Sequence, residues 1–185
     1  MCFKLIEAGF GFRIGDPNQW RLKHALAGGG ALMDVGIYAL QATRYISGEE
    51  PILLSAMETR TDPVKFKEVD ETIVWQLKFP SGVIAYCSTT YLVNGINRFT
   101  AYCEKGWFGL DPAYSYSGIK GRRGDGKEIS FEQIDPFAAE MDNFAQCILN
   151  NTPSKVSGEE GLRDIRILTA IYESIRQGGK VVKLA

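Results

Sequence analysis

The sequence TIVWQLKFPSGVIAYCSTTY, residues 72–91, contains the clearest β-hairpin signal in the chain. β-Branched and aromatic residues, which are enriched in strands, dominate Thr72–Phe79 and Gly82–Tyr91. Pro80 and Ser81 lie between the two runs and form a short connection of the kind that joins antiparallel strands. This segment therefore predicts two neighbouring antiparallel strands.

The strand-forming composition extends beyond the hairpin over residues 52–131, where turn residues recur at short intervals. Residues 3–14 also alternate in places, with Phe10, Phe12 and Ile14 on one face. Further strands are predicted at Arg98–Cys103, Trp107–Leu110, Lys127–Phe131 and, at an edge of the sheet, Val181–Leu184. The sequence thus predicts one large block of strands.

Helical patterns precede this block. A short helix is predicted at Trp20–Ala27, and it runs into three consecutive glycines. A longer helix is predicted at Ala31–Ser47, and Gly48 ends it as a C-terminal cap.

Helical patterns also follow the block. An apolar stripe with helical spacing begins after Pro136 and predicts a helix that ends near Asn150. Ser157–Glu160 has capping-box spacing and predicts the start of a last helix, which a pair of glycines ends. The members of the first stripe are Phe137, Met141, Phe144, Ala145, Ile148 and Leu149.

This arrangement predicts an α+β fold, because the strands form one block with helices at both ends and no βαβ alternation. We expect a large, mostly antiparallel open sheet with helices packed on one face. A length of 185 residues, of which 45% are apolar, suits a single domain. An uncovered sheet face rich in Val, Ile, Tyr and Trp would favour a second subunit, so we expect a homo-oligomer through that face.

Composition excludes several functional classes. The 21 basic and 22 acidic residues give a net charge of -1 without a long basic run, so we expect no nucleic-acid partner. No run approaches the roughly 20 apolar residues that span a membrane, and no signal peptide is visible, which leaves localisation open. The four scattered cysteines, Cys2, Cys87, Cys103 and Cys147, are expected to be free thiols rather than metal ligands.

Three motif matches are weak. Gly9–Gly15 resembles a dinucleotide fingerprint, but its last glycine falls one position late and the segment is predicted to be a strand. Gly121–Lys127 has phosphate-loop spacing, but Glu128 replaces the required Ser or Thr, so a hairpin loop explains it better. Asn150–Thr152 is a formal glycosylation acceptor and also an ordinary helix-ending turn.

Asp34 and Tyr38 are four residues apart on a predicted helix and therefore share a face. A carboxylate beside a phenol could orient it for proton transfer. A nearby cation would have to lower the phenol pKa from its ordinary value of about 10. The alternative is that Asp34 favours the helix dipole and Tyr38 is a half-buried core residue.

His24, the only histidine, would be the basis of a hydrolase or isomerase, but it has no visible partner and is expected to have a surface or packing role.

The segment GGGALMDVGIYALQATRYISGEEP, residues 28–51, resembles the start of the C-terminal domain in the glucose-fructose oxidoreductase and inositol dehydrogenase family of NAD(P)-dependent oxidoreductases. Tyr38 stands where most members carry His, as in the glucose-fructose oxidoreductase-like branch. Further similar segments cover nearly the whole chain: Gly106–Leu110, Pro136–Phe144, Val156–Arg163 and Ala170–Ser174.

The resemblance implies that residues 1–185 are a single C-terminal substrate-binding and oligomerisation domain. The family's N-terminal Rossmann domain, with its glycine fingerprint and the catalytic lysine of a Glu-Lys-Pro segment, is absent from this sequence. NADP or NAD would be bound mainly by that domain, so we expect the chain alone to be inactive. The implied reaction is hydride transfer from a hydroxyl group of a sugar or polyol.

The resemblance also implies roles for individual residues. Asp34 would orient the site, and Tyr38 would act with the missing lysine as acid and base. Trp20 and Arg21 would lie near the cofactor. Gly28, Gly29 and Gly30 would let the backbone approach the ligand closely. A simpler role for these glycines is a flexible joint. The alternative to an enzyme is a free-standing dimerisation or ligand-binding module without catalysis.

Overall fold

The computed structural model describes residues 3–184. Its main feature is a nine-stranded sheet with the strand order β8-β7-β6-β5-β1-β4-β3-β2-β9. The strands are β1 Phe3–Gly11, β2 Leu53–Thr59, β3 Thr72–Lys78, β4 Ile84–Thr90, β5 Ile96–Cys103, β6 Gly106–Leu110, β7 Gly121–Arg123, β8 Glu128–Ile129 and β9 Val182–Lys183.

The sheet is antiparallel at every interface except one. Strand β1 pairs in parallel with β4 on one side and antiparallel with β5 on the other. The mostly antiparallel open sheet of an α+β fold is thus confirmed. The sequence did not predict the parallel pairing of β1 with β4. Periodicity indicates that a segment forms a strand, but not which strand it pairs with.

The predicted hairpin is confirmed as β3 and β4, with Ile73 opposite Thr89 and Leu77 opposite Ala85. The backbone N–H of Phe79 donates to the carbonyl of Val83 and closes the turn at 2.9 Å. Side chains alternate between the two faces, as a period of two requires. Three β3 residues on one face are buried: Ile73, Trp75 and Leu77.

Within the described residues, four α-helices accompany the sheet: α1 His24–Ala27, α2 Ile37–Ser47, α3 Pro136–Leu149 and α4 Gly158–Arg176. Helices α2 and α4 lie on the same face and supply much of the core. Arg44 of α2 and Asp164 of α4 are both buried and form an ion pair of 2.5 Å. This face therefore carries both the apolar core and a charged connection between the two helices.

The first predicted helix is wrong as a single element. A 3₁₀ turn at Trp20–Leu22 precedes α1, and extended backbone at Lys23 separates the two. The second predicted helix exists, but it begins as a π-helical segment at Leu32–Gly36 before it continues as α2. Gly48 ends α2 with a positive φ of 68°, as expected of a C-terminal cap.

The weak motifs have structural explanations. Gly9–Gly11 belongs to a strand, and no helix directly follows it, so this is not a dinucleotide-binding turn. Gly121–Lys127 forms the β7–β8 hairpin, as expected. Asn151 adopts a positive φ of 51° just beyond α3, which fits a helix-ending turn. The expected capping box is wrong in detail, because the Ser157 side chain makes no capping hydrogen bond.

Helix α3 differs from α2 and α4 because none of its residues is buried. Its start follows the sequence signals, with Pro136 in the first turn and the Asp135 carboxylate accepting from the N–H groups of Phe137 and Ala138. Its apolar stripe nevertheless faces away from the sheet core. Five of its members are more than half exposed: Phe137, Met141, Phe144, Ile148 and Leu149.

The sheet face opposite α2 and α4 is open. Apolar side chains on three adjacent strands are exposed there: Met57, Val74, Ile84 and Tyr86. We call these four residues the open-face patch. Within residues 3–184, no helix is long and apolar enough to cross a membrane. Cys87, Cys103 and Cys147 are free thiols, as expected, while Cys2 lies outside the described residues.

Candidate functional site

An open cavity of about 800 Å³ lies along the face of the helix that begins in the π-helical segment. Six of its lining residues follow helical spacing over almost three turns: Asp34, Ile37, Tyr38, Gln41, Ala42 and Tyr45. Tyr114, from the segment after β6, Glu140 of α3 and Val156 complete the lining. The structure thus places Asp34 and Tyr38 in one cavity.

Asp34 is held by two donors from other parts of the chain. Its Oδ2 accepts a 2.7 Å hydrogen bond from the hydroxyl of Tyr91 and a 3.1 Å charged hydrogen bond from Nε of Arg21. Tyr91 is fully buried, and burial together with the hydrogen bond to Asp34 raises its pKa. The Tyr91 hydroxyl therefore stays protonated and donates to the carboxylate.

Tyr38 is positioned by aromatic packing. Its ring makes an edge contact with Phe10, at 5.3 Å between centroids, and a tilted contact with Tyr114 at 5.9 Å. The side chain is 41% exposed, and its hydroxyl makes no hydrogen bond to any residue from 3 to 184. Packing thus fixes the ring, while the hydroxyl remains available to a ligand.

Partial burial raises the pKa of the Tyr38 phenol, and the nearby Tyr116 and Asp34 raise it further. The phenol is therefore protonated near neutrality, when it can donate a proton but cannot accept one. Asp34 acts on Tyr38 through its charge rather than through a hydrogen bond. A nearby cation would be needed to make this phenol a base.

Trp20 and Arg21 lie together beside the site. The Arg21 guanidinium carbon is 4.7 Å from the centroid of the Trp20 ring, and the indole is 51% exposed. Since Arg21 also pairs with Asp34, the 3₁₀ turn at Trp20–Leu22 is connected directly to the cavity helix. The sequence did not predict this ion pair, because Arg21 and Asp34 belong to different elements.

The three glycines have different environments. Gly28 has a φ of 74° and ends α1, a conformation that glycine adopts at little cost. A Cβ on Gly29 would lie 2.6 Å from the Tyr172 hydroxyl, and a Cβ on Gly30 would overlap the backbone of Asp70. The close approach that Gly29 and Gly30 permit is therefore to the protein itself, and both residues are buried.

Several residues of this site escaped prediction. Gln41 and Tyr45 continue the Asp34–Tyr38 spacing by further turns, and that periodicity could have identified them. Tyr91 and Tyr114 gave no such signal, because they reach Asp34 and Tyr38, respectively, from segments distant in sequence. His24 is exposed at the first position of α1 and does not line the cavity.

No cluster of three metal-ligating side chains exists within the part of the chain that the structure covers. The polar groups of the site are its phenols, its amide, its carboxylates and the Arg21 guanidinium. The chemistry these groups provide is proton donation, charge stabilisation and hydrogen bonding to a polar ligand.

Family models match residues 4–109 to the GFO/IDH/MocA C-terminal domain. This segment is more than half of the chain and contains the π-helical start, Asp34 and Tyr38. The chain belongs to this family. The family resemblance stated from the sequence is thereby confirmed.

Curated members of the GFO/IDH/MocA family extend the match. An NADP-dependent D-xylose 1-dehydrogenase of Haloarcula marismortui is 32% identical over 166 residues, which cover 87% of this chain and 46% of the relative. A second such enzyme, from Haloferax volcanii, is 26% identical over 184 residues, covering 95% of this chain and 55% of the relative. The chain spans about half the length of these curated relatives.

Solved structures of similar proteins have the same fold over nearly the whole length of this chain. Aldose-aldose oxidoreductase from Caulobacter crescentus, complexed with glycerol, has a TM-score of 0.91 and 44% identity. That match covers 99% of this chain and 56% of the other. Levoglucosan dehydrogenase, in a complex with NADH and L-sorbose, has a TM-score of 0.82, covering 99% of this chain and 58% of the other. At 19% identity, this second match supports the fold alone.

Proposed function

We propose that this chain is the substrate-binding and oligomerisation domain of an NAD(P)-dependent oxidoreductase that acts on a hydroxyl group of a sugar or polyol. The observation that carries the proposal is the exposed Tyr38 hydroxyl, which lies in a cavity beside the Asp34–Tyr91–Arg21 cluster. Family membership supports the same class of reaction. The names of the D-xylose dehydrogenases and the aldose-aldose oxidoreductase support a sugar substrate.

The cavity lining suits a sugar. Tyr38, Tyr45 and Tyr114 present aromatic surface, against which the C–H groups of a sugar ring can pack. Gln41 and Glu140 provide an amide and a carboxylate that can hydrogen-bond hydroxyl groups. An open volume of about 800 Å³ lies within the range of small-molecule sites.

Tyr38 transfers the proton in this proposal. For reduction of a carbonyl group, the protonated phenol donates to the developing alkoxide oxygen. For oxidation, the phenolate accepts the proton of the substrate hydroxyl. The raised pKa of Tyr38 suits the donor role, while the acceptor role requires a cation such as the lysine of the family's Rossmann domain.

The cofactor would be NADP or NAD, which supplies the hydride acceptor or donor when bound. Trp20 and Arg21 fit the nicotinamide end, because an exposed indole offers a flat apolar surface and the guanidinium offers N–H donors. The described residues contain no strand, glycine turn and helix in succession that could hold the diphosphate. Most of the cofactor must therefore bind another domain.

Helix α3 supports the presence of such a domain. Its apolar stripe is exposed, yet its start lies at the cavity, where Glu140 lines the wall and the Phe137 ring is 5.1 Å from that of Tyr116. A dinucleotide-binding domain placed over the cavity would cover this stripe. The relatives' greater length provides room for that domain.

The open-face patch supports a second copy of the chain as a partner. Its four apolar residues lie on three adjacent strands, and the described chain contains no helix that covers them. Exposed contiguous apolar surface commonly marks a protein interface, and two identical faces can pair with twofold symmetry. We therefore propose a homodimer or larger homo-oligomer through this face.

The decisive experiment uses the native polypeptide that contains this chain. Its intact mass is measured first, and its turnover of aldoses and polyols is then followed by the absorbance of the reduced nicotinamide. Tyr38→Phe should lower kcat by about 100-fold or more, because it removes the proton donor. Tyr102→Phe is the matched control and should retain activity, since the Tyr102 hydroxyl donates to Glu7 and Tyr102 does not line the cavity.

The outcomes separate the two candidate functions. A mass near twice that of the chain, with nicotinamide-dependent turnover lost in Tyr38→Phe, supports the oxidoreductase. A native mass equal to that of residues 1–185 and no turnover would favour the free-standing dimerisation or ligand-binding module. Dehydrogenase activity in the purified chain alone would contradict the proposed need for a separate cofactor domain.

A further inference from the structure

Asp70 is a buried carboxylate that lies outside the cavity, immediately before β3. Only 3% of the residue is exposed. Its Oδ1 accepts from the backbone N–H of Gly30 at 2.7 Å, and its Oδ2 accepts from the N–H of Leu32 at 2.8 Å. The hydroxyl of Tyr172, from α4, donates to Oδ1 at 2.5 Å. One side chain thus connects the glycine segment, the sheet and α4.

The two backbone groups that Asp70 accepts from lie at the start of the cavity helix. The first N–H groups of a helix have no partner within it and need an outside acceptor. Ala31, at the N-cap of the π-helical segment, supplies no side-chain cap. Asp70 fills that role from a distant position in the sequence, and its negative charge also suits the positive end of the helix.

Steric contacts fix the same segment. The backbone of Asp70 leaves no room for a Cβ on Gly30, and the Met33 side chain together with the Tyr172 hydroxyl crowds one on Gly29. On the other side, the Thr89 hydroxyl donates to the carbonyl of Ala31 at 3.1 Å. The helix start is therefore held from β4, from α4 and from the segment before β3.

We propose that Asp70 is a positioning residue that fixes the start of the cavity helix and thereby the placement of Asp34 and Tyr38. Asp34 follows Leu32 by two residues, and its N–H donates to the carbonyl of Gly30 at 3.2 Å. Any shift of Gly30 or Leu32 is therefore transmitted to Asp34 within one turn. The consequence for catalysis rests on the proposed function, whereas the structural role of Asp70 does not.

Asp70→Asn tests this role with little change in shape. One carboxylate oxygen becomes an NH₂ group, which cannot accept from a backbone N–H. The matched control is Glu71→Gln. Glu71 is the adjacent residue and is fully buried, and its carboxylate also accepts from backbone N–H groups, those of Thr61 and Asp62. Those groups lie in a loop that does not carry the cavity helix.

Amide hydrogen exchange provides the first measurement and does not depend on activity. In Asp70→Asn, the amides at Leu32–Tyr38 should exchange about tenfold faster or more, because a buried N–H loses its partner. In Glu71→Gln, faster exchange should be confined to the Thr61 loop. Unchanged exchange at Leu32–Tyr38 in Asp70→Asn would overturn the proposal, and so would exchange that is faster to the same extent throughout the chain.

Kinetics of the native polypeptide provide the second measurement. Asp70→Asn should lower kcat about tenfold or more with little change in KM, because proton transfer depends on placement of the phenol. Glu71→Gln, adjusted for any loss of folded protein, should leave kcat unchanged. Equal kcat losses in both variants would indicate general destabilisation and would contradict a positioning role.

Tyr172→Phe is the second variant if Asp70→Asn does not fold. It removes one donor to Asp70 but leaves both backbone hydrogen bonds. It should produce a smaller increase in exchange confined to Leu32–Tyr38, and exchange equal to wild type would overturn the proposal. If the variants show faster exchange at Leu32–Tyr38 but the wild-type polypeptide has no oxidoreductase activity, the structural role of Asp70 is supported and the proposed function is refuted.

Discussion

Gly30 shows how closely the site is built at the scale of single residues. It lies in ordinary backbone conformation, so its requirement for glycine comes from space rather than from φ. The atoms that a Cβ would meet are the backbone carbonyl and N–H of Asp70, which cannot move without moving β3. Any side chain at this position therefore displaces the start of the cavity helix.

Gly30→Ala is expected to lower the free energy of unfolding by about 2–3 kcal/mol, because the added methyl group overlaps buried backbone. Chemical denaturation measures the change. Gly15→Ala is the control, since a Cβ on Gly15 meets nothing within 4 Å, and its effect should stay within about 0.5 kcal/mol. Equal effects of the two substitutions would contradict the steric explanation.

Local spacing in the sequence was sufficient to bring Asp34 and Tyr38 into one cavity, because both belong to one helix. It could not identify Tyr91 or Asp70, which reach Asp34 and Gly30 across 57 and 40 residues. Their positions depend on which strands pair, and the alternation of apolar residues does not encode that. Only the structure could therefore identify the residues that hydrogen-bond to Asp34 and Gly30.

Helices α2 and α4 are connected at the scale of elements by a buried charge cluster. The Arg44 guanidinium is 2.5 Å from Asp164, 2.7 Å from Glu160 and 2.6 Å from Glu50. Hydrogen bonding to Arg44 lowers the pKa of Glu50, whereas burial raises the pKa of Asp164 despite the same arginine. Of these carboxylates, that of Asp164 therefore depends most on the positive charge of Arg44 to stay ionised.

Arg44→Leu should lower the free energy of unfolding by about 3–5 kcal/mol, because it leaves Asp164 buried without its cation. Thermal and chemical denaturation measure the loss. The double variant Arg44→Leu/Asp164→Leu should recover much of it, since two apolar side chains can replace a buried ion pair at little cost. A double variant no more stable than the single one would show that the cost does not come from an unpaired carboxylate.

Elements were easier to predict than their details. Strand composition and helical stripes identified most strands and the two long C-terminal helices, since both signals are local. The π-helical start of the cavity helix was missed, because contacts from Asp70 and Thr89 shape it rather than its own residues. The exposure of α3 was missed for a similar reason, as an apolar stripe does not reveal what covers it.

One buried and two partly buried tyrosines make the stability of the whole molecule sensitive to alkaline pH. Burial raises the pKa of Tyr91, Tyr114 and Tyr172 above the ordinary value of about 10. Above that value the unfolded chain releases phenol protons that the folded chain retains. The unfolded state then binds fewer protons, so the free energy of unfolding must fall as the pH rises.

We expect the free energy of unfolding to decline above pH of about 10, as measured by urea denaturation at a series of pH values. Tyr91→Phe should make this decline less steep, because it removes one of the three phenols. A free energy of unfolding that stays constant through this range would mean that the three phenols ionise as readily in the folded chain as in the unfolded one.

The open-face patch and the apolar stripe of α3 are exposed surfaces with different expected partners. Val74→Glu in the open-face patch should shift the native polypeptide towards monomers, as measured by analytical ultracentrifugation, because a charge replaces a buried contact. Phe144→Glu on α3 should leave the oligomer intact and weaken binding of the nicotinamide cofactor. If Phe144→Glu instead dissociated the oligomer and Val74→Glu weakened cofactor binding, the partners expected for the two surfaces would have to be exchanged.

The central position of β1 has a consequence for the order of folding. Among the nine described strands, β1 alone connects the β8–β5 half of the sheet with the β4–β9 half, yet it precedes the other eight in sequence. During synthesis on the ribosome it must wait, with both edges unpaired, until β4 and β5 have emerged. Pairings of such high contact order form slowly. Closure of the sheet around β1 is therefore expected to be a late, rate-limiting event, and the waiting strand is where a chaperone would act.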